Sequence, residues 1–195
     1  MATRILVFAG SARRESLNKK LARVAAQEAK AAGADATFID LDDFPMPVYH
    51  GDLEAERGMP ENALKLRELF ISHHALIVVS PENNQSITSL LKNTIDWLSR
   101  DIGDGKGANN GLAPFRGKVA ALLAASPGPY GGVRHLPHLR QSLGGLGVLV
   151  LGTQMALLHA HEAFDESGQL KEPRIAQSVK RLVEELIATT GKVHS

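Results

Sequence analysis

The sequence predicts an α/β domain, a parallel sheet of five strands with helices on both faces. Three observations predict it. Apolar runs of strand length alternate with helical patterns along the chain, strand first. The runs are apolar without alternation, as in Ala75-Leu76-Ile77-Val78-Val79, which is the pattern of strands buried on both faces. Helical segments separate the strands, as crossovers between parallel strands require.

The elements follow in order. Residues 4–9 read as the first strand. Leu17, Leu21, Val24, Ala25 and Ala32 then fall near a 3.6-residue period, so a helix starts near Ser16 and ends at Gly33, a C-terminal cap. Residues 36–41 read as the second strand. Residues 42–59, with Pro45 and Pro47, read as irregular, and Pro60-Glu61 opens a helix running through Leu66 and Phe70. Residues 75–80 read as the third strand, stopped by Pro81. A helix over 87–99 carries Ile87, Leu90, Leu91, Ile95 and Leu98 on one broad face, and a glycine-rich loop is expected over 103–111. A fourth strand over 119–125, a helix around 133–143, a fifth strand over 148–151 and a last helix over 173–188 complete the chain. Five strands joined this way suggest the flavodoxin-like order 2-1-3-4-5. No repeat, low-complexity tract or linker divides residues 1–195, so one domain is expected.

Composition narrows the function. The chain has 195 residues, of which 44% are hydrophobic, enough for a proper core, and its formal charge of +1 makes no electrostatic case for nucleic acid or an anionic membrane. It has no cysteine, which excludes disulfides, thiolate catalysis and cysteine-ligated metals. The first strand begins by residue 4, leaving no room for a signal peptide, and no apolar run approaches the ~20 residues of a membrane span. A soluble cytoplasmic protein is expected.

The junction after the first strand is the most informative stretch. There the chain reads Gly10-Ser11-Ala12-Arg13-Arg14-Glu15-Ser16-Leu17-Asn18. A helix start exposes unpaired N–H groups and the positive end of the helix dipole, a ready site for phosphate. Ser11, Arg13, Ser16 and Asn18 add side-chain donors around it. Gly10 lacks the partners of a dinucleotide fingerprint, and no P-loop motif occurs. A mononucleotide held by its terminal phosphate remains. In this fold, ligands sit beyond the carboxyl ends of the strands at the switch point between the first and third. Two further polar loops reach that edge, Ser80-Pro81-Glu82-Asn83-Asn84-Gln85-Ser86-Ile87 and Ser126-Pro127-Gly128-Pro129-Tyr130-Gly131-Gly132. Together they supply many main-chain donors and few titratable groups, which suits a cofactor that carries its own chemistry.

These residues resemble a known family. Gly10-Ser11 with Arg13, Ser16 and Asn18, then Pro81-Glu82-x-Asn84-x-Ser86-Ile87, Leu91-Lys92-Asn93 and Asp96-Trp97, are similar to the motifs of NAD(P)H-dependent FMN reductases. Quinone, chromate and azo-compound reductases belong to that family. The resemblance implies bound FMN, NADPH or NADH as hydride donor, a quinone or similar small-molecule acceptor, ping-pong hydride transfer, and a homodimer or homotetramer. By position, Ser11, Arg13, Ser16 and Asn18 would hold the FMN phosphate. Pro81, Glu82, Asn84, Ser86 and Ile87 would flank the ring, with Asn83 and Gln85 in the same loop, and Ser126, Gly128, Gly131 and Gly132 would border its pyrimidine edge. No side chain is assigned as catalytic, since the chemistry belongs to the flavin. The family usually has Tyr where this chain has Asn83, and often Gly where it has Gln85. Two other readings stay open: an FMN-carrying electron-transfer protein, and a regulatory domain that has lost the flavin.

Other signals carry less. The histidine pairs, including His135 with His138, lack a carboxylate and are not expected to hold a metal. Asp42-Asp43 follow the second strand and read as a solvated loop. Ser126 lacks the context of a hydrolase nucleophile. Lys92 and Asp96, spaced i, i+4, read as a surface pair. Trp97 lies close to the apolar face of its helix and reads as core packing or a subunit contact; the width of that face makes the helix an expected subunit contact.

Overall fold

The computed structural model describes residues 2–102 and 110–195. Most of the glycine-rich loop expected over 103–111 lies outside the described residues. β1 (Arg4–Ala9), β2 (Asp35–Asp40), β3 (Ala75–Val79), β4 (Val119–Ala125) and β5 (Leu149–Leu157) form one sheet in the order β2-β1-β3-β4-β5. Every pairing is parallel, which is the flavodoxin-like arrangement expected.

The central strands bury both faces, and their alternate side chains feed two separate cores. Ile5, Val7, Ile77 and Val79 pack on one face with Leu21, Val24, Val179, Leu182 and Leu186. Those last five come from α1 (Leu17–Ala31) and α6 (Pro173–Val193). Leu6, Phe8, Leu76 and Val78 pack on the other face with Leu66, Phe70, Leu91, Leu98 and Leu139. These belong to α3 (Glu61–Ser72), α4 (Ser89–Leu98) and α5 (Leu136–Gly145).

Three differences from expectation have local causes. The stretch over 42–59 contains a helix, α2 (Gly51–Arg57), none of whose residues is buried. It lacks a periodic apolar face and is held by polar contacts. The segment before it lies across α4: Trp97 Nε1 donates to Pro47 O at 2.8 Å, and the Tyr49 ring meets the Trp97 ring edge-on at 5.1 Å. Trp97 is therefore wholly buried by its own chain, and its width does not mark an exposed contact face. α4 begins at Ser89 rather than 87, because Thr88 caps it by accepting from Leu91 N at 3.2 Å.

β5 runs to Leu157, well past the expected 151. Its pairing with β4 shifts between Ala120 and Leu122, which face Val150 and Gln154. Residues 151–153 thus oppose Ala121 alone, and this bulge breaks the apolar pattern at Gly152-Thr153. Arg140 spans the irregularity, donating to Val150 O, Leu151 O and Gln154 Oε1 at 3.1, 2.6 and 3.1 Å.

Candidate functional site

The carboxyl ends of β1, β3 and β4 open onto a cleft of about 430 Å³. Two of its walls are the turn after β1 and the start of α1. Gly10 is required there: a Cβ on it would stand 2.8 Å from Ser80 Oγ and 3.1 Å from Leu91 Cβ. The close approach lets Gly10 N donate to Val79 O at 2.9 Å, and Thr88 Oγ1 donates to Gly10 O at 2.8 Å. Thr88 thus fixes both the turn and the start of α4. Sequence reasoning missed it, although a threonine just before an apolar helical run is a cap signal.

Ser11, Arg13, Ser16 and Asn18 all line this cleft, but they differ in role. Ser16 Oγ accepts from Lys19 N at 3.3 Å, capping α1, and Ser11 Oγ accepts from Arg13 N at 3.3 Å. Each hydroxyl keeps its own proton to donate. Arg13 is exposed and forms no ion pair among the described residues. Asn18 also braces the fold, and one of its two Nδ2 protons is left over. Its Nδ2 donates to Ala125 O at 2.8 Å, and its Oδ1 accepts from Ala125 N at 2.9 Å. The amide thereby ties α1 to the end of β4, setting the cleft's width. Behind it, Lys19 is buried in an ion pair with Asp40 at 2.6 Å.

The loop after β3 is a tight hairpin. Asn83 and Ser86 exchange backbone hydrogen bonds at 3.0 and 2.9 Å, and both residues between them have positive φ, 49° at Asn84 and 64° at Gln85. This is the backbone of a two-residue primed turn. Pro81, Glu82 and Asn83 line the cleft, while Asn84, Ser86 and Ile87 face an adjoining cavity and Gln85 lines neither. The hairpin, one tight turn, separates the residues read as a single flanking set.

The loop after β4 divides likewise. Ser126 lines the cleft, but Gly128, Gly131 and Gly132 do not. Gly128 N donates to Ser126 Oγ at 3.2 Å. Gly131 has φ of 60° and packs so tightly on β5 that a Cβ would stand 3.0 Å from Leu157 C. Gly132 lies against Glu82, whose Oε2 accepts from Arg134 N at 2.9 Å. His135, wholly buried, completes the corner. Burial holds its imidazole below the ordinary histidine range, so it is neutral at pH 7, with Nδ1–H donating to Gly132 O at 2.6 Å. Glu82–Arg134 and Ser86 Oγ–His138 Nδ1 (3.0 Å) link the hairpin to the chain that follows the β4 loop, at the turn before α5 and in its first turn.

No group of three or more His, Cys, Asp or Glu is placed to hold a metal among the described residues. The donors are hydroxyls, main-chain amides and one guanidinium. That set fits a phosphate ester carrying a flat, uncharged ring, and it fits FMN.

Comparison with known proteins agrees. Residues 3–162 match the family model described as NADPH-dependent FMN reductase. An NAD(P)H-dependent FMN reductase from Pseudomonas aeruginosa is 34% identical over 185 residues, 94% of this chain and 92% of that protein. A quinone reductase from Pseudomonas putida is 34% identical over 169 residues, covering 86% and 84% respectively. Among solved structures, the flavoenzyme NAD(P)H:(acceptor) oxidoreductase of Paracoccus denitrificans superposes with a TM-score of 0.80 at 27% identity, over 98% of both chains. With the Gly10-Ser11 turn, the parallel sheet and the switch-point cleft in place, the chain belongs to the NADPH-dependent FMN reductase family.

Proposed function

We propose that residues 1–195 act as one FMN-binding domain, an oxidoreductase that takes hydride from NADPH or NADH and reduces quinones or similar small acceptors. The observation that carries the reading is the cleft at the β1–β3 switch point, where helix-start amides and the Ser11 and Ser16 hydroxyls converge. FMN, when bound, supplies the hydride chemistry. The chain binds and orients. Main-chain amides at the start of α1, with Ser11 and Ser16, would hold the phosphate, and Arg13 would add charge from the mouth. Asn18 would hold α1 at the right distance from β4. Pro81, Glu82 and Asn83 on one side and Ser126 on the other would flank the ring. The link from Glu82 to Arg134 N keeps that wall from yielding as ligands exchange.

We place the protein in the cytoplasm, where nicotinamide nucleotides are plentiful; no helix of the described residues is long and apolar enough to cross a membrane. We propose assembly as a homodimer or homotetramer, as the resemblance to the family implies.

The test is an absorption spectrum of the protein titrated with FMN, followed by NADPH and NADH oxidation with a quinone. Stoichiometric FMN and quinone-dependent turnover are expected. Bound flavin that neither nucleotide reduces would make the protein a carrier, and no flavin binding would leave a regulatory domain.

A further inference from the structure

On the far side of the hairpin at 83–86 lies a second cavity, of about 690 Å³. Asn83 and Ser89 line both this cavity and the cleft, so the two spaces adjoin. No carboxylate among the described residues lines it. Its ionisable lining residues are Lys92 on α4 and His138 on α5, and apart from Ile87 the rest carry amides or hydroxyls. His138 is held by Ser86 Oγ at 3.0 Å. Lys92 Nζ lies 2.7 and 2.8 Å from the two Asp96 oxygens, but Lys92 is half exposed, and such pairs are weak. A pyrophosphate diester, with two negative charges to a carboxylate's one and twice the non-bridging oxygens, would compete for that ammonium.

A cavity with a cation, many neutral donors and no acid suits an anionic, hydroxyl-rich ligand. The hydride donor of the proposed reaction is such a molecule. Its nicotinamide must reach the cleft while its pyrophosphate and adenosine ribose extend beyond it. Resting on that reading of the function, we propose that this second cavity holds the pyrophosphate and adenosine ribose of NAD(P)H, with Lys92 as the phosphate-binding cation. Asn83 and Ser89 stand where the nucleotide passes from one space to the other.

The experiment uses the FMN-loaded protein, with NADP⁺ binding read by calorimetry and KM values read for NADPH and for the quinone. Lys92→Met is expected to weaken NADP⁺ binding and raise the NADPH KM by about tenfold. FMN affinity and the quinone KM stay unchanged, and NADP⁺ binding loses part of its salt dependence. Asp96→Asn breaks the same ion pair but leaves the cation, so NADP⁺ binding is expected to hold or tighten. If Lys92 only braces α4, both variants weaken binding alike, and that result overturns the proposal. So does unchanged NADP⁺ affinity in Lys92→Met, or a change in assembly state alone, which would make the cavity a subunit contact. A wild-type protein that binds FMN but never oxidises NADPH or NADH removes the oxidoreductase reading itself, and this assignment with it. Turnover with an insensitive Lys92→Met removes only the assignment.

Discussion

Gln85 holds φ of 64°, a conformation that costs an L-residue roughly 1–2 kcal/mol. Asn84 beside it, at 49°, is a residue type that tolerates the left-handed region. The primed turn joining Asn83 to Ser86 demands positive φ at both positions, and Asn-Gly is the pair that suits it best. A glycine at this place would meet that demand without the cost. Gln85→Gly should stabilise the protein by about 1 kcal/mol, raising Tm by roughly 2–4 °C. Thermal unfolding checks it, and a lower Tm would mean that the Gln85 side chain contributes more than its backbone costs. Asn83 next to it is exposed, and its side chain is free of the turn's hydrogen bonds. An aromatic residue there would meet the ligand without disturbing the hairpin.

Among the elements, the segment leading into α2 is the least self-sufficient. α2 buries nothing of its own and stays in place through a small polar and aromatic cluster. Asn93 accepts from Tyr49 N at 2.8 Å and donates to Pro47 O at 2.9 Å. Glu54 takes the Arg100 guanidinium at 2.9 Å and the Tyr49 hydroxyl at 2.9 Å. The hydrogen bond from Arg100 holds the Glu54 carboxyl below its usual range. Trp97 is the anchor common to the ring contact and the Pro47 bond. Trp97→Phe keeps an aromatic ring but removes the indole N–H, so about 1 kcal/mol should be lost. Amide exchange should quicken over residues 47–57 while β1 and β3 stay protected. Uniform acceleration across the sheet would show that Trp97 supports the whole core instead.

The whole molecule divides its work between the two edges of the sheet. The cleft opens at the carboxyl edge, and a lysine is buried at the amino edge. Lys118, just before β4, is buried and donates to His73 O. Burial, with Arg4 nearby, lowers its pKa from 10.5 to about 8. Burial also lowers His74, whose Nδ1 accepts from Arg4 N at 3.1 Å. The Lys118 pKa is lower folded than unfolded, so between about pH 8 and 10.5 the unfolded chain holds a proton that the folded chain has released. Stability should therefore rise with pH through that window, by up to ~1 kcal/mol per unit. Urea unfolding at pH 8, 9 and 10 measures it. Lys118→Met should flatten the profile, and an equal rise in the variant would assign the effect to other groups.

What the sequence determined by itself is what repeats or caps locally. Unbroken apolar runs specified strands buried on both faces, and with the intervening helices they specified the parallel sheet and its order. The Gly10-Ser11 turn before a serine-capped helix marked one end of the cleft. These signals survive in sequence because each depends on neighbours within a few residues. Only the tertiary structure decided which polar group meets which. Asn18 reads from sequence as a phosphate donor alone, and the fold also brings Ala125 to it, 107 positions along the chain. Trp97 reads equally as a core or a contact residue until the segment carrying Pro47 and Tyr49 folds across it. The length of β5 follows from its shifted register against β4, which no local pattern records. Hydrogen bonds and burial reward proximity in space, and proximity between distant segments is set by topology, after the local elements have formed.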